Sequence, residues 1–148
     1  LTMNRVPSLA LLVTAGLLSG VATAGDHQVV NVALNATQYN TGHVASALLS
    51  PTTGNRTGLS IVLGGVPSGT ALPVHIDTYI YSGTCERMGP KPVYEMNQSM
   101  TTRSMSSPMR LSTIAPVSLA ALRSGGYVLV LRAGPMDGSV NLFCGNIT

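Results

Sequence analysis

Between Val74 and Ser82 the chain reads Val-His-Ile-Asp-Thr-Tyr-Ile-Tyr-Ser, then breaks at Gly83 and delivers one of its only two cysteines, Cys85, into a loop. Alternation with period two puts Val74, Ile76, Thr78 and Ile80 on one face of a β-strand and His75, Asp77, Tyr79 and Tyr81 on the other. A strand of this kind must bury its aliphatic face, and it offers a polar, aromatic face on the other side. The second cysteine, Cys144, lies in the last strand-like segment. A disulfide between them ties the loop after this strand to that segment, and closing so long a loop stabilises the fold by about 4 kcal/mol through the unfolded state.

Whether that bond forms depends on compartment. Met3-Asn4-Arg5 is a short positive start, Leu9 to Val21 is apolar, and Ala22-Thr23-Ala24 supplies small residues at a cleavage site. This pattern predicts a secretory signal peptide over residues 1–24, cut after Ala24, with Leu1 and Thr2 as artefactual residues before the start methionine. The apolar run is shorter than the roughly 20 residues of a spanning helix, so no membrane span is expected after cleavage. The expected location is periplasmic or secreted, in a bacterium. In such a compartment two cysteines read as one disulfide. A metal site at either thiol lacks a nearby Cys or His partner.

The remainder, 25–148, is long enough for one domain with one core. Only 9% of the chain is charged and tryptophan is absent, while 16 glycines and 9 prolines supply many turns. That profile suits a small all-β protein. The basic residues are scattered without a run or stripe, which gives no support to nucleic-acid binding. Strands are expected over Gln28–Asn35, His43–Ser50 and Gly58–Leu63, the second and third joined by the turn Thr52-Thr53-Gly54-Asn55. Further strands are expected at Val74–Tyr81, Val93–Met96, Arg110–Ala115, Tyr127–Leu131 and Val140–Cys144. Ser99–Ser107 reads as an extended loop or an edge strand. Ser118 is a candidate N-cap for one short helical turn near 118–123, stopped at Gly125. The expected fold is a Greek-key β-sandwich or flattened barrel of seven or eight strands.

Three segments in this order carry a resemblance. Pro73-Val74-His75-Ile76 is followed by Gly83-Thr84-Cys85 and Gly89-Pro90. Ser118-Leu119-Ala120-Ala121-Leu122 is followed by Gly126-Tyr127. Cys144-Gly145-Asn146-Ile147 closes the set. Over roughly Gly42 to Ile147 the chain resembles the copper/zinc superoxide dismutase-like (CHRD-like) secreted β-sandwich family. The resemblance implies the Greek-key frame and a disulfide between the loop after a His-rich strand and a terminal Cys-Gly-x-Ile strand. It also implies a metal site that has been lost here. The family's His-x-His pair reads His75-Ile76-Asp77, and its Gly-Pro-His reads Gly89-Pro90-Lys91. A further histidine corresponds to Arg132, and the arginine that guides superoxide corresponds to Asn141. Lys91 and Arg132 are cations where a copper ion would sit, so no dismutase activity and no resident cofactor are expected.

Two other patterns can carry copper. After cleavage the chain begins Gly25-Asp26-His27, whose amine, two backbone amides and imidazole make a square-planar set of four nitrogens suited to Cu(II). Met88, Met96, Met100, Met105 and Met109 place five thioethers in one short segment, and thioethers suit Cu(I); as plain core or surface methionines they need no metal. No nucleophile elbow, phosphate loop, zinc finger or dinucleotide fingerprint is present. The sequence therefore leads to an exported, non-catalytic binding or interaction protein, monomer or homodimer, for an unknown protein or small ligand. Its candidate interaction face is His75, Asp77, Tyr79 and Tyr81. The alternative is a periplasmic copper-binding protein.

Overall fold

A computed structural model describes residues 28–102 and 108–148 of the chain; the expected leader, Gly25-Asp26-His27 and Met105 lie outside the described residues. Within them the chain forms eight strands: β1 (Val30–Ala36), β2 (Ala45–Thr52), β3 (Arg56–Leu63), β4 (Val74–Ser82), β5 (Tyr94–Thr102), β6 (Met109–Ala115), β7 (Tyr127–Ala133) and β8 (Asn141–Ile147). One short helix, α1 (Leu119–Arg123), precedes β7. All strand pairs are antiparallel.

The strand order is β5-β4-β7-β8-β1-β2-β3-β6. The sheet folds into two halves, β1-β2-β3-β6 and β5-β4-β7-β8. They are joined where the end of β1 leaves β2 and pairs with β8, Asn35 opposite Cys144 and Ala36 opposite Phe143. At the other side β5 and β6 run close together without a ladder. The result is a flattened barrel with one open seam. The β7–β8 hairpin lies between β4 and β1, so the chain must cross between halves after β3, β5 and β6. This is the Greek-key arrangement of an all-β fold, as the sequence pattern predicts.

The strands form because their apolar residues alternate. β4 buries Val74, Ile76, Thr78 and Ile80, all at or below 3% exposure, and holds His75, Asp77 and Tyr79 half-exposed on the other face. β1 and β3 alternate in the same way, and their inward residues meet Phe143, Leu129, Leu131 and Leu142 in one core. Burying each such side chain contributes about 1.5–3 kcal/mol. Ser118 caps α1 as predicted: its Oγ accepts from the Ala121 amide at 3.1 Å. The helix closes at Ser124, and Gly125 follows at φ +116°, a backbone region open to glycine.

Two segments run longer than their sequence pattern indicates. β5 continues past Met96 to Thr102 because β4 offers it a ladder from Ile80 opposite Tyr94 to Val74 opposite Thr102. Its residues alternate weakly because β5 is an edge strand, where polar residues are the usual defence against pairing with another chain. β8 runs past Cys144 to Ile147 because β7 pairs with it as far as Tyr127 opposite Ile147.

Candidate functional site

The outward face of the β5-β4-β7-β8 half is built by strand register. Asp77 lies opposite Arg132, and Arg132 opposite Asn141. In the next row Glu95, Tyr79, Val130 and Cys144 follow one another across four strands. A third row brings Tyr81 beside Val128 and Val128 beside Asn146. A face with period two on every strand therefore collects residues far apart in sequence without any loop having to carry them.

One end of this face is a small second core. Tyr81, Val128, Val130 and Cys144 are buried, with Tyr79, Cys85 and Met88 packed against them. The loop after β4 supplies the cover. Gly83 sits at φ +100° with its amide donating to the Gly126 carbonyl at 2.8 Å, and the Gly89 amide donates to the Ser82 carbonyl at 2.8 Å. A Cβ at Gly83 would lie 2.2 Å from the Arg87 carbonyl oxygen, so glycine is required there on both counts. The loop is then fixed to β8 twice. Cys85 and Cys144 form the expected disulfide, and the Cys85 amide donates to Asn146 Oδ1 at 3.0 Å.

The other end of the face is open, and Arg132 dominates it. Its guanidinium carbon stands 4.5 Å from the Tyr79 ring centroid and 5.5 Å from that of Tyr81. Its Nη2 donates to the Tyr81 hydroxyl, and its Nε donates to Asn141 Oδ1 at 2.8 Å. The two tyrosine rings meet edge to face at 6.4 Å. Asn141 is positioned in turn from the end of β1: the Thr37 amide donates to the Leu142 carbonyl at 3.0 Å, and its hydroxyl donates to the Asn141 carbonyl. A cation over each aromatic face is worth about 0.5–2 kcal/mol, and two hydrogen bonds fix the planar guanidinium as well. The arrangement holds an arginine in place against two aromatic rings.

Burial raises the Tyr79 phenol above its ordinary pKa of 10.0, and the Asp77 carboxylate adds to this against the opposing charge of Arg132. A phenol with a raised folded pKa holds its proton more tightly when folded. Its contribution to stability is complete below pH 10.0 and is lost as the pH climbs toward the raised value. Thermal melts across that alkaline window should therefore fall more steeply for the native protein than for Tyr79→Phe; parallel curves would contradict the arrangement.

Of the residues the sequence singles out, His75, Asp77 and Tyr79 lie on this face and are half-exposed. Tyr81 lies on it too but is 6% exposed. It packs beneath Arg132 and the loop and is the most buried of the four residues of the candidate interaction face. Lys91 is exposed in the stretch leading to β5. Arg132 and Asn141, which the sequence marks only as replacements for a ligand and a guiding arginine, are the residues that organise the site. The signal was available in the one charged residue of an otherwise apolar strand, Tyr-Val-Leu-Val-Leu-Arg-Ala.

These residues do not fit a copper or zinc ion. Where the resemblance would put ligands there is a guanidinium over two rings, and no three His, Cys, Asp or Glu side chains among the described residues gather as a metal-holding group. Of the five methionines in that segment, the three whose side chains are described do not form one group. Met96 is buried in the main core, Met109 packs against that core, and Met88 belongs to the outer cluster on the opposite face of the sheet. The backbone of Met100 lies in β5 opposite Ile76. No helix among the described residues is long and apolar enough to cross a membrane. Comparison with known proteins finds no matching family model, no similar curated protein and no similar solved structure.

Proposed function

We propose that this is an exported, non-catalytic binding protein that recognises a partner through the open end of the β5-β4-β7-β8 face, on a superoxide dismutase-like frame whose metal site has been replaced. The observation that carries the reading is Arg132 seated across Tyr79 and Tyr81 and held by Asn141. Tyrosine and arginine are the residue types that most often anchor interfaces, and an arginine already fixed loses little conformational entropy on binding. His75 and the carboxylates of Asp77 and Glu95 rim the patch around the Arg132 cation, which suits a mixed polar partner better than a nucleic acid. The disulfide supports an oxidising compartment, the periplasm or the exterior. It also joins the two cysteines that the family resemblance pairs.

The reading is tested in the protein's own compartment by placing a photo-reactive amino acid at His75 or Asp77. A control carries it at Ser60, on the outward face of β3 in the other half of the barrel. A defined adduct from the first two positions, absent at Ser60 and reduced at least several-fold by Arg132→Gln, is the expected result. Equal labelling at all three positions, or labelling insensitive to Arg132, would overturn it.

A further inference from the structure

A second site lies away from this face, at the end of the barrel where the β2–β3 hairpin meets α1. The hairpin and the helix enclose a cleft of about 350 Å³, within the range of small-molecule sites. Two arginines line it, Arg56 from the start of β3 and Arg123 from the last turn of α1, and no acidic residue among the described residues does. Their guanidinium bonds go to neutral oxygens. Arg56 Nε donates to the Thr53 carbonyl at 3.0 Å, and Arg123 Nη1 donates to Gln28 Oε1 at 2.6 Å. Among the described residues neither arginine has a carboxylate partner. Each uses part of its five-donor fork on these bonds and keeps the rest for a ligand. One wall of the cleft is apolar, from Pro51, Leu119 and Ala120.

Two like charges facing one cleft repel each other, and an anion placed between them turns that repulsion into charge-assisted hydrogen bonding. Arginine forks match the planar or tetrahedral oxygens of carboxylate, sulfate and phosphate groups. We propose that this cleft binds a small organic anion, its oxyanion held by Arg56 and Arg123 and its body lying against Pro51, Leu119 and Ala120. The hairpin turn gives the cleft its shape: Gly54 at φ +74° and Asn55 at φ +53° bend the chain so that Arg56 enters beside Thr52. The site shares no residue with the Arg132 patch, so it stands or falls independently of the recognition role proposed for that face.

The experiment is a titration of the oxidised protein, followed by backbone amide resonances, with inorganic phosphate, sulfate, acetate and benzoate in turn. Sodium chloride at matched ionic strength is the control. Saturable shifts confined to residues around Asn55, Arg56, Ala120 and Arg123 are expected. Benzoate should bind tighter than acetate because its ring reaches the apolar wall, and the order among oxyanions identifies the head group. Arg56→Gln and Arg123→Gln should each weaken binding by about tenfold, the loss of one charge-assisted contact, and the double variant should not saturate. Both side chains are exposed, so these variants keep the fold and the native melting temperature. Chloride giving the same shifts, no saturation with any of the four anions, or affinity unchanged in the single variants would overturn the proposal.

Discussion

Cys85→Ser will lower the melting temperature by about 15 °C in non-reducing buffer. The bond it removes spans 59 residues of chain. In the loop-entropy account, closing a loop of that length stabilises the native state by about 4 kcal/mol. For a domain of this size each kcal/mol moves the midpoint by about 4 °C. Serine preserves the amide that donates to Asn146, so the substitution isolates the covalent link from the loop's own hydrogen bonding. Adding reductant to the native protein should bring its midpoint down to that of the variant and leave the variant where it is. A variant that melts with the native protein would refute the staple.

The same substitution connects stability to the Arg132 face. Cys85 and Met88 cover the outer cluster of Tyr81, Val128, Val130 and Cys144, and Tyr81 is the floor that receives the Arg132 Nη2. Once the loop is free to lift, Tyr81 loses packing on one side. Arg132 then loses one of its two fixed hydrogen bonds, although Asn141 still holds Nε. The disulfide therefore braces the patch as well as the chain.

How much of this was legible beforehand follows from the physics of each feature. The inward face of β4 was readable because period-two alternation is a local signal, and the Ser118 cap because its bond spans three residues. The disulfide followed from there being two cysteines in a chain whose first residues read as an export signal. The Arg132 platform was not legible, because it depends on register: Asp77 meets Arg132 only once β4 and β7 are neighbours, although fifty-odd residues separate them. The burial of Tyr81 was missed because its cover is a loop, and loop paths are set by single glycines such as Gly83 rather than by any periodic pattern. The anion cleft depends on α1 packing beside a hairpin from the other part of the chain, and neither segment carries a motif of its own.

Gly145→Ala, a change of one methyl group, should cost about 3 kcal/mol, roughly 10 °C in melting temperature. A Cβ at that position would lie 2.4 Å from the Ala33 carbonyl oxygen, 2.8 Å from Val32 Cγ1 and 2.9 Å from Leu34 Cδ2. The nearest of these is backbone, in β1, at the corner where β1 leaves β2 and takes up β8. Side-chain rotation cannot relieve that contact. β1 must move by about an ångström, and the pairs Asn35–Cys144 and Ala36–Phe143 that join the two halves of the barrel move with it. Gly58→Ala, in β3, is the matched comparison: there the nearest atom is Ser50 Oγ at 3.5 Å, an ordinary contact. Alanine is more favourable than glycine in a strand by about 0.5–1 kcal/mol, so that variant should melt at or slightly above the native temperature. Hydrogen exchange adds a spatial readout. In Gly145→Ala the amides of β1 and β8 should lose protection first, while those of the β2–β3 hairpin hold longest. If Gly145→Ala melts alongside Gly58→Ala, then β1 and β8 do not close on each other as tightly as the Ala33 contact requires, and the corner that joins the two halves is not where the barrel is most constrained.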